Sequence, residues 1–222
     1  MKAGLTDIII ILDKSGSMED TRHDVIGGFN RFLDDQKKLP GQANVTMVLF
    51  DSRGNNKLLH YGDDIQKVQP LDMKTYVPSG NTALLEAMSR TLDDAEVRIN
   101  AYPDAEKPEK VIVVVITDGE ENDSPRDLYP HSKIFEKVQT LQNQGWEFVY
   151  LGANQDAIKA GSSMGLTHGS SVTYQATAQG HAMAYNSLSS YVSESRCCTG
   201  PIAKTFSEVF NATDAAEQNK KK

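Results

Sequence analysis

Three polar clusters in this sequence concentrate side-chain oxygen. The first is Asp13-Lys14-Ser15-Gly16-Ser17-Met18, the second is Ser79-Gly80-Asn81-Thr82, and the third is Thr117-Asp118-Gly119-Glu120-Glu121-Asn122. In the first, alternate residues of an extended loop point the same way, so Asp13, Ser15 and Ser17 can converge on one point. Gly16 lets the backbone turn between them, and Ser17 is placed to help cap the following helix. Thr82 and Asp118 would complete a set of five oxygen donors without His or Cys, which selects a hard cation. Mg²⁺ suits such a set when some contacts run through water; Mn²⁺ fits equally well, and Ca²⁺ needs a roomier loop. With only two carboxylates, hydroxyls can take direct places on the ion while Asp13 and Asp118 act through waters. The cation is then left electron-poor, and a partner's Asp or Glu would complete its coordination. Lys14, Asn81, Glu120 and Glu121 are candidates for the rim of that partner site, although an acidic loop that is merely solvated is the simpler reading of the last two.

The elements that must carry these clusters alternate along the chain. Residues 5–12 and 110–116 are continuous β-branched runs, as expected of parallel strands covered on both faces. Further strands are expected at 43–50, 146–152 and 170–175, and two short edge segments at 57–61 and 65–69 around Gly62-Asp63-Asp64. Apolar residues at i, i+3, i+4 spacing predict helices over 18–38, 82–100 and 131–144, with others at 154–164, capped by Gly165, and 177–195. Alternation of this kind predicts a doubly wound, mostly parallel α/β sheet with helices on both faces. Ligands of such sheets bind at the carboxyl ends of the strands, where the first and third clusters lie. The domain is expected to occupy residues 1–198. Residues 199–222 form an extension in which Phe206, Val209 and Phe210 dock a short segment, and 212–222 are expected to be a mobile tail ending in the solvated Lys220-Lys221-Lys222.

Composition narrows the function classes. The 222 residues are 39% hydrophobic and 24% charged, which suits an ordinary globule. The formal net charge of −7 gives no basic footprint for nucleic acid. No stretch approaches the ~20 apolar residues of a membrane span. The run Ile8–Leu12 is too short for the core of a secretory signal. Cys197 and Cys198 are adjacent and cannot build a disulfide framework, so a reducing cytoplasmic location is the expectation. His23, His60, His131, His168 and His181 lack metal-ligand spacing and are expected on surfaces or helices. Trp146 and the methionines at 88, 164 and 183 read as packing residues.

The motifs Asp13-Lys14-Ser15-Gly16-Ser17-Met18, Thr82 and Thr117-Asp118-Gly119 resemble the metal-ion-dependent adhesion site of the von Willebrand factor A domain family. The resemblance covers residues 5–195, with all five ligand positions intact. It implies a Rossmann-like domain of six strands, one of them an antiparallel edge. It also implies direct metal ligation by Ser15, Ser17 and, depending on conformation, Thr82, with Asp13 and Asp118 acting mainly through waters. Leu151-Gly152-Ala153-Asn154 and the helix ending at Arg196 are similar to compact bacterial and phage members. The expected function is therefore a non-enzymatic, metal-dependent module that binds a protein partner, with neither nucleic acid nor membrane as its target. Oligomeric state is left open. A Mg²⁺-dependent hydrolase or phosphotransferase is the alternative. Asp13-Lys14-Ser15 lacks the second aspartate of an aspartyl-phosphate enzyme, however, and neither a nucleophile with its base nor a phosphate loop stands out. A structural assembly protein with an unused site is the third reading, disfavoured by the intact set.

Overall fold

Six strands form one sheet in the order β3-β2-β1-β4-β5-β6. They are β1 (Lys2–Asp13), β2 (Gln42–Phe50), β3 (Asn56–Asp64), β4 (Pro108–Thr117), β5 (Glu147–Ala153) and β6 (Ser171–Tyr174). All neighbours pair parallel except β3, which runs antiparallel to β2 at one edge. The helices are α1 (Arg22–Lys37), α2 (Leu84–Asn100), α3 (His131–Asn143), α4 (Ala157–Ser163), α5 (Ala178–Cys197) and α6 (Phe206–Lys220). The computed structural model describes residues 1–198, 200 and 202–220. Thr199, the first residue of the expected extension, and the last two of the three terminal lysines lie outside the described residues.

The consecutive isoleucines of β1 serve both faces because successive strand side chains point oppositely. Ile8, Ile10 and Leu12 join the core beneath α1, α5 and α6, with Phe29, Phe32, Leu188 and Phe206. Ile9 and Ile11 join the core beneath α2, α3 and α4, with Val113, Val115, Leu85 and Val138. Ile8, Ile9, Ile11 and Leu12 are fully buried, which explains why the strand reads as a continuous apolar run. Chain order reverses between β1 and β4, since β1 continues to β2 on one side while β4 continues to β5 on the other. The crevice at this switch point is where doubly wound sheets bind ligands.

Three expectations change. The two edge segments with a turn at 62–64 are instead one strand, β3, followed by a short 3₁₀ turn at Ile65–Lys67. Gly62 accommodates φ +66° and its N–H reaches Thr46 Oγ1 at 3.0 Å, so the turn signal becomes an irregularity within the ladder. The helix expected from residue 18 begins as a 3₁₀ turn at Gly16–Glu19, and α1 proper starts at Arg22. The chain expected to be a mobile tail beyond residue 211 is helical through Lys220. Phe206 stacks edge-on against Tyr191 of α5 at 5.6 Å and against Phe210 at 6.4 Å. His181 is helical, as expected, and is buried at 1% exposure against Tyr174. Trp146, Met88 and Met164 are buried, Met183 packs partly buried against the core, and both cysteines are free and exposed.

Candidate metal centre

The carboxyl ends of β1 and β4 are neighbours, so the first and third polar clusters meet without any long connection. Asp13 is the last residue of β1 and is fully buried. Its Oδ1 accepts the Ser15 N–H at 2.6 Å and its Oδ2 accepts the Thr117 hydroxyl at 2.5 Å. Both bonds orient the carboxylate toward the loop that follows. Ser15 and Ser17 hydroxyls lie 3.1 Å apart, and Ser17 donates to Asp118 Oδ1 at 2.6 Å. That donation leaves the Ser17 lone pairs available on its other side. Ser17 therefore does not cap α1, contrary to the sequence expectation; its side chain is spent on the crevice.

Thr82 is held in place by its backbone. Its N–H donates to Asn122 Oδ1 at 2.9 Å and its carbonyl accepts the Asn122 N–H at 3.0 Å. Gly16 N–H donates to the Gly80 carbonyl at 3.1 Å, tying the first loop to the second. A β-carbon added at Gly119 would stand 2.9 Å from Thr82 Oγ1, so the third loop passes directly against the Thr82 hydroxyl. The three clusters thus form one crevice. Asp13, Ser15 and Thr82 are buried at its base, Asp118 is half-buried and Ser17 is exposed at its mouth.

The electrostatics fit a cation. Burial pushes Asp13 up to about 6; Thr117 and Ser15 hydrogen bonds oppose this and the nearby Asp118 charge adds to it. Burial also raises Asp118, against the Ser17 hydrogen bond. Neither carboxylate forms an ion pair with Lys or Arg among the described residues, because Lys14 is engaged elsewhere. Among those residues no group of three or more His, Cys, Asp or Glu is arranged to hold a metal. A site here must therefore rest on hydroxyls plus two carboxylates, a hard donor set suited to Mg²⁺, Mn²⁺ or a roomy Ca²⁺ site.

Two residues expected at the rim have different roles. Lys14 points inward, is buried, and pairs with Asp51, itself 1% exposed. Glu121 folds back on its own loop: it accepts from the N–H groups of Leu85, Asp123 and Ser124 and from the Ser124 hydroxyl, so it organises the start of α2. Asn81 and Glu120 are exposed beside the crevice. Sequence reasoning missed Asp51, Thr117, Asn122 and Tyr76 as supports. Asp51 follows β2 as Asp13 ends β1, and it also accepts the Ser79 hydroxyl at 2.8 Å while its carbonyl takes the Ala83 N–H. That third strand-end aspartate was the available signal. Tyr76 donates to the Asp13 carbonyl at 2.7 Å from a loop with no readable motif.

The family model for the von Willebrand factor type A domain matches residues 7–185. No curated protein sequence matches the chain. Among solved structures, the von Willebrand factor domain of the type V pili tip protein Mfa5 from Porphyromonas gingivalis is 12% identical with a TM-score of 0.60, covering 89% of this chain and 98% of that one. Proximal thread matrix protein 1 from the mussel byssus, with zinc in its MIDAS motif, is 18% identical with a TM-score of 0.58; the match covers 86% of this chain and 46% of that one. A von Willebrand factor type A protein from Catenulispora acidiphila is 14% identical with a TM-score of 0.52, covering 85% of this chain and 43% of that one. The chain thus spans about half the length of the mussel and Catenulispora proteins it matches. At these identities the likeness establishes the fold.

Proposed function

Because this chain belongs to the von Willebrand factor type A domain family, whose members are generally protein-interaction modules, we propose that it is a metal-dependent binding module that grips an acidic side chain of a protein partner. The observation that carries the reading is the crevice at the β1/β4 switch point. There, three hydroxyls and only two carboxylates share one space, and the two carboxylates have no cationic partner among the described residues. The mussel protein with zinc in its MIDAS motif supports a divalent ion at this place in the fold.

Ser15, Ser17 and Thr82 would hold the ion through their hydroxyls, with Asp13 and Asp118 supplying charge and orienting waters. Mg²⁺ is our assignment for the resident metal, with Mn²⁺ as its equal in chemistry. The bound cation would supply a Lewis-acidic point for a carboxylate oxygen. Thr117 and the Ser15 amide keep Asp13 aimed at the site, and Asn122 fixes Thr82. Nothing in this arrangement resembles a nucleophile paired with a base, so no bond need be made or broken. We also propose that the chain is intracellular and that α6 (Phe206–Lys220) is part of the folded domain, packed through Phe206 on α5.

The test is recovery of partners from the native host on immobilised protein, with Mg²⁺ or with EDTA, alongside a Ser15→Ala/Ser17→Ala variant. A partner retained only by wild type with Mg²⁺ supports the reading. A partner retained equally by all three overturns it.

A further inference from the structure

The loops that carry the metal centre also border a second cleft, of about 430 Å³, between the start of β3 and the chain at 74–79. Lys14, Lys57 and Lys74 line it together with Val77 and Ser79, and among the described residues the lining includes no Asp or Glu. This runs against the chain as a whole, in which 30 acidic residues outnumber 23 basic ones. The cleft adjoins the metal loop directly. Lys14 stands between Asp13 and Ser15, and its carbonyl accepts the Ser79 N–H at 2.8 Å.

Two acids lie near these lysines, and each has other work. Asp51 is buried behind the cleft, where it neutralises Lys14 and accepts the Ser79 hydroxyl at 2.8 Å. Asp72 is turned into its own loop and accepts from the N–H groups of Lys74 and Thr75 and from the Thr75 hydroxyl. Those bonds, and after them the Lys74 charge, hold Asp72 below the ordinary carboxylate range. The exposed ammonium groups of Lys57 and Lys74 form no ion pair among the described residues. The wall that carries Lys74 has no helix or strand, yet it is pinned. Arg22 Nε donates to the Tyr76 carbonyl at 2.8 Å, Asn30 exchanges two hydrogen bonds with the Leu71 backbone, and the Tyr76 hydroxyl reaches the Asp13 carbonyl at 2.7 Å. A charge carried on a fixed wall loses less to ordering when a partner binds.

We propose that this cleft receives a second carboxylate of the partner, so that an acidic peptide segment meets the metal with one side chain and Lys57 and Lys74 with a neighbouring one. Lysine heads are point charges on flexible stems and hold a carboxylate without demanding one geometry. Complementary charge of this kind selects partners and speeds their encounter. The metal contact rests on the metal-grip reading above; carboxylate binding by the cleft does not.

The experiment is a ¹H–¹⁵N NMR titration of the full chain, in EDTA and in Mg²⁺, with N-acetyl-hexaglutamate amide, N-acetyl-hexaglutamine amide and inorganic phosphate. The glutamate peptide is expected to shift the backbone signals of Lys57, Lys74 and Val77 saturably in EDTA, and to bind more tightly in Mg²⁺. Lys57→Gln and Lys74→Gln should each weaken it about threefold and together about tenfold, the worth of two exposed ion pairs. Lys38→Gln/Lys204→Gln makes the same change in net charge at exposed positions that do not line the cleft and should leave binding unchanged. No saturable shift, equal binding of the glutamine peptide, or an equal loss in the Lys38/Lys204 variant overturns the proposal. Phosphate binding as tight as that of the glutamate peptide overturns the acidic-peptide assignment. The two readings fail separately: Mg²⁺-enhanced binding that ignores Lys57 and Lys74 removes the cleft alone, and lysine-dependent binding that ignores Mg²⁺ removes the metal grip alone.

Discussion

Acidification should strengthen the metal-free fold at Asp13 while weakening the response to Mg²⁺. Burial holds this carboxyl at about 6 in the folded protein, against an ordinary 3.8. The folded state therefore binds the proton more tightly than the unfolded chain. The resulting stabilisation is fully present below the unfolded value and is lost as pH rises through about 6. Its full size is about 3 kcal/mol, of which about half is present at pH 5 and almost none at pH 7.5. Burial lowers His181, which acts in the opposite direction over the same range, so the clean quantity is the difference between wild type and Asp13→Asn. In that variant Thr117 can accept from the new amide and donate to the Gly119 carbonyl, which it already faces at 3.1 Å. Urea unfolding in EDTA should show Asp13→Asn more stable than wild type at pH 7.5, with the gap narrowing by about 1–2 kcal/mol at pH 5. Mg²⁺ must displace the proton, so its affinity should fall about tenfold from pH 7 to pH 5, with about half a proton released per ion at pH 6. Calorimetry at pH 6 in two buffers of different ionisation enthalpy measures that release. A constant gap and no proton release would refute the assignment of a buried, proton-holding Asp13 to the metal site.

Other perturbations separate the roles of neighbouring residues. Asp51→Ala leaves Lys14 buried without its counter-charge and should cost about 3–5 kcal/mol in chemical denaturation; a loss below 1 kcal/mol would return Lys14 to the rim. Gly119→Ala places a β-carbon against Thr82 Oγ1 and should weaken Mg²⁺ at least about tenfold, equivalent to one lost ligand contact of about 1.4 kcal/mol, with little change in the circular dichroism of the fold. Phe206→Ala removes a fully buried ring packed on Tyr191 and should cost about 3–5 kcal/mol. Unaltered stability would place α6 outside the folded unit.

Much of the architecture was legible because it is written in period and run length. The four isoleucines of β1 and the valines of β4 demand cover on both faces, and that cover is what doubly wound topology provides. The meeting of Asp13, Ser15 and Ser17 with Asp118 was legible because the adjacent strands β1 and β4 deliver their ends to one crevice. Less was legible where tertiary contacts override local signals. Gly62-Asp63-Asp64 reads as a turn, yet pairing with β2 and the close approach of Arg98 hold it in a strand. Lys14 reads as a rim residue and Glu121 as a rim or solvated charge, yet Asp51 and a set of backbone amides draw them inward. His181 has no sequence partner because its neighbour Tyr174 comes from another element. The C-terminal helix is weakly amphipathic, and its aromatic anchors Phe206 and Phe210 are sparse against polar neighbours.

The central claim is a divalent cation held by hydroxyls at the β1/β4 crevice. Its most direct test is calorimetric titration of Mg²⁺ into wild type and into Ser15→Ala/Ser17→Ala at pH 7.5. The account predicts one saturable site in wild type and none in the variant, with both proteins folded. Equal heats from the two proteins would contradict it.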